Sequence, residues 1–348
     1  MGVSTTGTAE GPAAPVRIAI TGSTGSLGGA LIQSLSTRSD VTRIVALSRD
    51  EVKSGDLADR WSSLPSLRCQ LADVRDERRL EEVFRGCDVV AHCAALKRVT
   101  HSVYSPEEII KTNVQGTINV IRAATEGGVG KVLVVSSDKS VMPTNLYGMS
   151  KAVAECYGVQ SNSYAAPRGT RVACVRYGNV LGSRGAVVHI WRDQLRRGEA
   201  LTITDPAMTR FIITLPQAAA FCLAAVEDMG GGELFVPRLP AARLLELAEA
   251  ISKERWAEGN GPCAPYTITG LRPGGEKLAE ALLSPEEATR AYYLEGDDRM
   301  VILPSHHSWR AAWPWPEGAK AVREPYTSDA PDRWLTVADL VAMLKEVP

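Results

Sequence analysis

The run V-R-I-A-I-T-G-S-T-G-S-L-G, Val16 to Gly28, passes from a β-rich hexad into three evenly spaced glycines, Gly22, Gly25 and Gly28. Glycine permits a tight turn and lets a ligand come close to the peptide backbone. The helix that begins at Ser26 offers unpaired amides and the positive end of its dipole. The spacing predicts a pyrophosphate cradle made of Gly22, Thr24, Gly25, Ser26, Leu27 and Gly28, and hence dinucleotide binding. A glycine triplet alone also suits a plain turn. Its place between a strand and a helix at the head of an alternating region favours the dinucleotide reading.

Outward from that turn the alternation recurs as far as residue 175. Runs rich in Val, Ile, Ala and Leu occupy 16–21, 43–47, 67–71, 88–93, 131–136 and 171–175. Such continuous apolar runs suit parallel strands covered by helices on both faces. Helical spacing fills 26–35, 77–84, 106–126 and 147–163, with Pro106 after Ser105 as a helix start. The pattern predicts an α/β fold, a Rossmann-type doubly wound parallel sheet. After Gly178 the regularity breaks. Helices are expected at 187–197, 243–254 and 337–346, the last capped by Thr336. Irregular stretches are expected at 260–265 and 306–317. This gives a flexible tail at 1–14, a cofactor-binding domain at 15–178, and a smaller, mainly substrate-binding lobe at 179–348 with some segments returning to the first domain.

The composition excludes several classes. The 348 residues carry 39 Lys and Arg against 40 Asp and Glu, a net charge of −1, which argues against a nucleic-acid footprint. No apolar run is long enough to cross a bilayer, and the first fifteen residues lack a signal-peptide pattern. Seven cysteines stand without Cys-x-x-Cys spacing, so they read as reduced structural thiols in a cytoplasmic protein. His101, His189, His306 and His307 have no matching carboxylate or cysteine spacing, and no metal is expected.

The second strand ends in L-S-R-D-E-V-K, Leu47 to Lys53. An acid here would hold both ribose hydroxyls of NAD, whereas arginine can meet a 2′-phosphate. Ser48, Arg49 and Lys53 therefore point to NADP, against the alternatives of a solvated basic loop or of NAD held by Asp50. Asp73 and Val74 follow the third strand, within reach of an adenine. Ala94 and Ala95 follow the fourth, where small side chains leave room.

The chemistry concentrates in S-S-D-K-S-V-M-P-T-N-L-Y-G-M-S-K, Ser136 to Lys151. Tyr147 and Lys151 lie four apart and share a helix face. A free tyrosine, with a pKa of about 10, is a poor base at neutral pH. A fixed cation beside it favours the phenolate; lowering the pKa by about three units takes roughly 4 kcal/mol. Asp138 and Lys139 add an acid–base pair at a strand end, where doubly wound folds place their sites. A surface charge pair is the bland alternative.

With these pieces the chain resembles the extended short-chain dehydrogenase/reductase superfamily and, more narrowly, the soluble inverting UDP-N-acetylglucosamine 4,6-dehydratases. The resemblance runs nearly end to end. Besides the two stretches above it rests on A-A-L-K-R-V (94–99), K-T-N-V-Q-G-T-I-N-V (111–120), R-Y-G-N-V-L-G-S-R-G (176–185), M-T-R-F (208–211), G-L-R-P-G-G-E-K-L (270–278) and P-Y-T-S-D (325–329). It implies a tightly bound NADP, a UDP-linked sugar substrate and a homo-oligomer. Tyr147 would take the proton of the sugar 4-hydroxyl, with Lys151 on the ribose and Ser137 positioning the hydroxyl. Lys139, if desolvated so that its pKa falls, would remove the C5 proton, and Asp138 would protonate the leaving 6-hydroxyl. Lys97 and Asn113 are expected near cofactor or substrate, and Asn179, Arg210, Arg272 and Glu276 near uracil or diphosphate; each arginine could equally be a structural ion pair. Two departures stand out. His92-Cys93 replaces small residues before Ala94, and Gly274-Gly275 adds a glycine, so the loop carrying Glu276 is expected to be displaced. The rival readings are a nucleotide-sugar epimerase of the same superfamily and a non-catalytic NADP-sensing protein.

Overall fold

A computed structural model describes residues 15–98, 104–254, 263–272, 274–294, 298–309 and 319–347. The expected tail at 1–14, His101, half of the stretch 260–265 and most of the stretch 306–317 lie outside these residues.

Sixteen strands are described. In chain order they are β1 Val16–Thr21, β2 Val41–Ser48, β3 Leu67–Leu71, β4 Val89–His92, β5 Lys131–Val135, β6 Arg171–Val175, β7 Asn179–Val180, β8 Leu201–Ile203, β9 Thr209–Ile213, β10 Leu234–Pro237, β11 Ala241–Arg243, β12 Tyr266–Ile268, β13 Ala281–Leu283, β14 Ala291–Tyr293, β15 Arg299–Ile302 and β16 Tyr326–Thr327. The helices used below are α1 Ser26–Leu35, α2 Glu51–Arg60, α3 Glu77–Phe84, α4 Gly116–Glu126, α5 Leu146–Gln160, α6 Val187–Arg196, α7 Leu215–Asp228, α8 Leu244–Glu254 and α9 Val337–Leu344.

Nine strands form one sheet in the order β14-β15-β10-β6-β5-β4-β1-β2-β3. Strands β1 to β6 are all parallel, and the order reverses direction between β1 and β4. A doubly wound sheet opens its ligand crevice there, at the carboxyl ends of the strands. Central strands such as Lys131–Val135 are almost wholly buried, as expected when helices cover both faces. The second half of the chain adds β10 parallel to β6, then β15 and β14 antiparallel.

A second core forms the smaller lobe. Trp191 of α6, Leu247 and Ile251 of α8, and Leu340 and Leu344 of α9 pack around Leu201 and Ile203 of β8. The Trp191 indole N–H donates to the Thr202 carbonyl at 2.8 Å, which satisfies its one polar atom inside the core. Truncating such a buried tryptophan costs about 3–5 kcal/mol.

Three elements differ from the pattern. Residues 51–60, to which no element was assigned from the pattern, form α2, which buries only Ser54 and so shows no apolar stripe. The helix expected at 106–126 is interrupted by a π-helical segment, Ile110–Gln115. Helix α7 was not anticipated; its alanine-rich face lacks strong periodicity, but a capping box of Thr214 and Gln217 opens it.

Candidate active site

At the carboxyl end of β1, Gly22 adopts φ +67°, and a Cβ there would lie 2.8 Å from the Ala94 backbone. The turn thus needs glycine both for its left-handed conformation and for contact with the segment after β4. Gly25 precedes α1 without a side-chain cap, and no acid occupies the first turn. The amide groups at the start of α1 therefore remain oriented for an anion. Ser26 Oγ accepts from the Arg184 amide at 3.0 Å, so the second half of the chain reaches the rim of this turn.

Thr24 and Ser48 share a hydroxyl–hydroxyl hydrogen bond of 3.0 Å across the ends of β1 and β2. Asp50 caps α2 through the Lys53 amide at 3.0 Å and pairs with the Lys53 ammonium. Lys53 is thus tied to Asp50. Arg49 stays half exposed, 4.0 Å from Asp73. Asp73 also pairs with Arg75 at 2.6 Å, and the neighbouring Val74 is buried with its carbonyl accepting from Asn119. Asn113 is buried, with its amide group holding both backbone atoms of Leu96 and the Ser150 hydroxyl. Its role is to fix the Ala94-Ala95-Leu96 segment. Lys97 Nζ reaches Ser183 Oγ at 3.3 Å.

The departure at His92-Cys93 is structural. His92 is buried between the Thr21 and Thr117 hydroxyls at 2.8 and 3.1 Å. Burial, with a contribution from Lys151, pushes its pKa down to about 3, so the ring is neutral. Burial pushes the Cys93 thiol up to about 12, which makes it inert as a nucleophile.

The Ser136–Lys151 stretch follows β5. Ser137 precedes a single 3-10 turn, Asp138–Ser140, and α5 starts at Leu146 with Asn145 as its cap. A Cβ on Gly148 would run into the Lys139 carbonyl, so only glycine lets α5 pack directly beneath the turn. Ser140 Oγ donates to Glu155 Oε2 at 2.8 Å, and Glu155 pairs with the fully buried Arg176, which also binds Glu287 at 2.7 Å. This internal ion network clamps turn, helix and β6 together.

Around the turn, Ser137 Oγ donates to Asp138 Oδ1 at 2.7 Å. Lys139 Nζ lies 3.1 Å from Asp138 Oδ1, 3.4 Å from Asn179 Oδ1 and 3.4 Å from Glu280 Oε1. Asp138 Oδ2 is buried without a hydrogen-bond partner. Burial disfavours the charge on Lys139, but Asp138 and Glu280 outweigh it and hold the ammonium above the ordinary lysine range. The expectation of a lysine made basic by desolvation is therefore corrected, because two carboxylates more than compensate for lost water.

Tyr147 is buried, which raises its pKa; Lys139 is the strongest opposing influence, followed among the lowering ones by a hydrogen bond with Ser137. Lys151 is buried, donates to the Val135 carbonyl, and has its pKa lowered chiefly by burial. In this state the cation that acts on the tyrosine is Lys139, where the sequence pointed to Lys151.

The lobe supplies the other wall. Arg210 donates to the Thr209 and Leu278 carbonyls at 2.7 and 3.0 Å. Arg272 and Glu276 pair with each other at 3.0 Å. The glycine insertion does not carry this loop away: the Gly275 carbonyl accepts from Asn145 Nδ2 at 2.9 Å, and Lys277 Nζ donates to the Val141 carbonyl at 2.6 Å. Sequence reasoning missed Lys277 and Glu280. Their only local signal is that Lys277 belongs to the E-K-L run after the paired glycines and that Glu280 follows that run by two residues.

The family model described as polysaccharide biosynthesis protein matches residues 18–301. The chain belongs to this family. Within it, a UDP-N-acetylglucosamine 4,6-dehydratase (inverting) of Campylobacter jejuni is 39% identical over 289 residues, 83% of each chain. A UDP-glucose 4-epimerase of Rickettsia akari is 37% identical over 313 residues, 89% of each chain. Among solved structures, Pen from Bacillus thuringiensis superposes with a TM-score of 0.85 at 30% identity, covering 96% of this chain and 98% of that one. No helix among the described residues is long and apolar enough to cross a membrane, and no group of three His, Cys, Asp or Glu side chains among them is arranged to hold a metal.

Proposed function

We propose that this family member is an NADP-dependent nucleotide-sugar 4,6-dehydratase that acts on UDP-N-acetylglucosamine with inversion at C5. One observation carries the reading: an acid–base pair, Asp138 and Lys139, sits on the same buried turn that acts on Tyr147. A simple alcohol dehydrogenase or a 4-epimerase needs the tyrosine and a cofactor. Elimination also needs a base for C5 and an acid for the 6-hydroxyl. The inverting dehydratase among the relatives supports this choice, and the epimerase relative keeps a second reading open.

The residues fit a dinucleotide. Gly22 lets the backbone approach, the uncapped start of α1 suits a pyrophosphate, and Thr24, Ser48 and the half-exposed Arg49 lie where the adenosine ribose would end. Because Asp50 is engaged as a helix cap and with Lys53, Arg49 is left to meet a 2′-phosphate, which favours NADP. When bound, the nicotinamide supplies a hydride acceptor for C4 and later a donor for C6.

Tyr147 takes the proton of the sugar 4-hydroxyl as the phenolate, and the Lys139 ammonium stabilises that charge. The resulting 4-ketone acidifies C5–H. Lys139 must first release its proton, and Asp138 is the acceptor at 3.1 Å. That single transfer leaves a neutral amine and a carboxylic acid, the base and the acid that elimination needs. The amine then removes the C5 proton, and the acid protonates the 6-hydroxyl as it leaves as water. Oδ1 is the oxygen that faces Lys139, and the buried Oδ2 has no partner of its own.

The test is proton NMR of the product from UDP-N-acetylglucosamine, run in deuterated water. A 4-keto-6-deoxy sugar with deuterium at C5 and inverted configuration is expected. A product with an intact 6-hydroxyl and altered C4 configuration selects the epimerase. Bound cofactor released with no turnover of any UDP-, dTDP-, GDP- or CDP-sugar sinks both enzyme readings.

A further inference from the structure

Glu280 precedes β13 and is brought to the catalytic turn by strand pairing. Its amide donates to Ser328 Oγ at 2.9 Å, and its carbonyl accepts from the Ser328 amide at 2.8 Å, as β13 runs antiparallel to β16. The side chain is 5% exposed. Oε1 lies 3.4 Å from Lys139 Nζ and Oε2 lies 3.5 Å from Lys277 Nζ, yet Oε2 is buried without a hydrogen-bond partner. A buried carboxylate with an unsatisfied oxygen is costly unless it serves a nearby charge. Neither the glycine-rich turn, the Tyr147 helix nor the Asp138-Lys139 turn requires an anion at this place.

We propose that Glu280 is a positioning residue of the elimination centre, a second carboxylate that shares the Lys139 ammonium with Asp138 and stabilises it whenever the amine has taken a proton. The inference rests on the dehydratase reading for its chemical consequence, but not for the contact itself. Ionisable groups face Lys139 from several elements. Asp138 faces it from its own turn, Glu280 from the lobe, Arg210 from β9 and Tyr147 from α5; Asn179 from β7 is neutral. Lys97, after β4, feels the Lys139 charge, and Lys277 balances Glu280 from the far side. Burial and Arg210 push the ammonium toward losing its proton, and the two carboxylates reverse that. With one carboxylate neutralised, the remaining one still opposes burial. Asp138 can then accept the lysine proton before elimination, while Glu280 keeps an anion at the amine to stabilise the ammonium formed by C5 deprotonation. The division of labour is one carboxylate that changes protonation and one that does not.

The Lys139 ammonium is followed by its 13Cε NMR shift in protein carrying labelled lysine, assigned with Lys139→Arg and measured without substrate. In the native protein Lys139 is expected to stay charged to a higher pH than an ordinary lysine, which titrates at about 10.4. Glu280→Gln, which is isosteric, is expected to bring the midpoint down by at least about one pH unit into that ordinary range, and Glu280→Asp to keep it high. Asp138→Asn leaves Glu280 as the only anion, so its midpoint should also stay near the ordinary value. A native Lys139 that titrates as an ordinary lysine, an unmoved midpoint in Glu280→Gln, or a midpoint more than about two units below 10.4 in Asp138→Asn would each overturn the inference. The Asp138→Asn arm stands even where Glu280→Gln does not fold. With the 4-keto product, Glu280→Gln should bring the alkaline limb of C5 deuterium exchange down with the midpoint. A midpoint that moves while the exchange limb stays put counts against Lys139 as the C5 base, and so against the dehydratase mechanism, while leaving the Glu280 contact intact.

Discussion

Two lysines border Tyr147, and the protein surrounds them in opposite ways. Lys151, on the cofactor side, is buried against the neutral Val135 carbonyl, and burial lowers its pKa. Lys139, on the side of the lobe, keeps 28% of its side chain exposed and stands between Asp138 and Glu280, which raise it despite burial. Lys151 thus contacts a peptide dipole, whereas Lys139 contacts two carboxylates. The difference teaches how a single fold separates two jobs. Neutral peptide groups and glycines suit an anionic dinucleotide that brings its own charge. Proton removal from carbon and departure of a hydroxyl need ionisable groups that can trade protons at short range.

The largest effects should come from removing either side's central group. Tyr147→Phe should lower formation of the keto sugar about 10²–10⁴-fold, the usual range for a general base. Lys139→Ala should cost a similar factor in product formation while bound cofactor is retained, as read by absorbance of the released nucleotide. If solvent deuterium still enters C5 at the native rate in Lys139→Ala, the charged side is not where elimination happens and the comparison breaks.

Glu155 joins the two sides, touching Ser140 of the turn and pairing with Arg176. Glu155→Ala leaves a fully buried guanidinium with only Glu287 as its carboxylate, and should destabilise the protein by about 3–5 kcal/mol in urea unfolding. A loss below about 1 kcal/mol would mean that the clamp between turn and helix is incidental.

On the cofactor side, Arg49→Ala should weaken NADP about tenfold and NAD little, by fluorescence titration. Equal losses would remove the 2′-phosphate argument. The smallest effect should come from Lys151→Met. A lysine whose folded pKa is depressed binds fewer protons when folded than when unfolded, between the folded value and about 10.4. Stability therefore rises with pH through that window, and below it the buried charge is a net cost. Replacing it should raise the Tm of the apo protein by a few degrees at neutral pH. A lower Tm would mean that the Val135 hydrogen bond outweighs burial.

The first half of the chain was readable because its signals are local. Apolar runs of five or six residues, a glycine triplet and the Tyr147/Lys151 spacing all lie within one or two turns of chain, and the strands and helices follow them closely. Helix α2 was not readable because it buries almost nothing, and α7 because its alanines blur the apolar stripe. The second half was harder still: β10, β14 and β15 join the main sheet through pairings distant in the chain.

The sequence by itself determined the doubly wound class, the glycine-rich turn after β1 and the chemical types of the residues on the Ser136–Lys151 stretch, since each is a matter of residue kind and short spacing. Only the tertiary structure decided their charge states. Proton affinity depends on burial and on charges within a few ångströms, and those are set by chain segments that meet only in space: Glu280 beside Lys139, Val135 beneath Lys151, and the Gly275 carbonyl on Asn145. For that reason Lys139, read from its pattern as a lysine to be neutralised by burial, stands in the folded protein as an ammonium shared by two carboxylates.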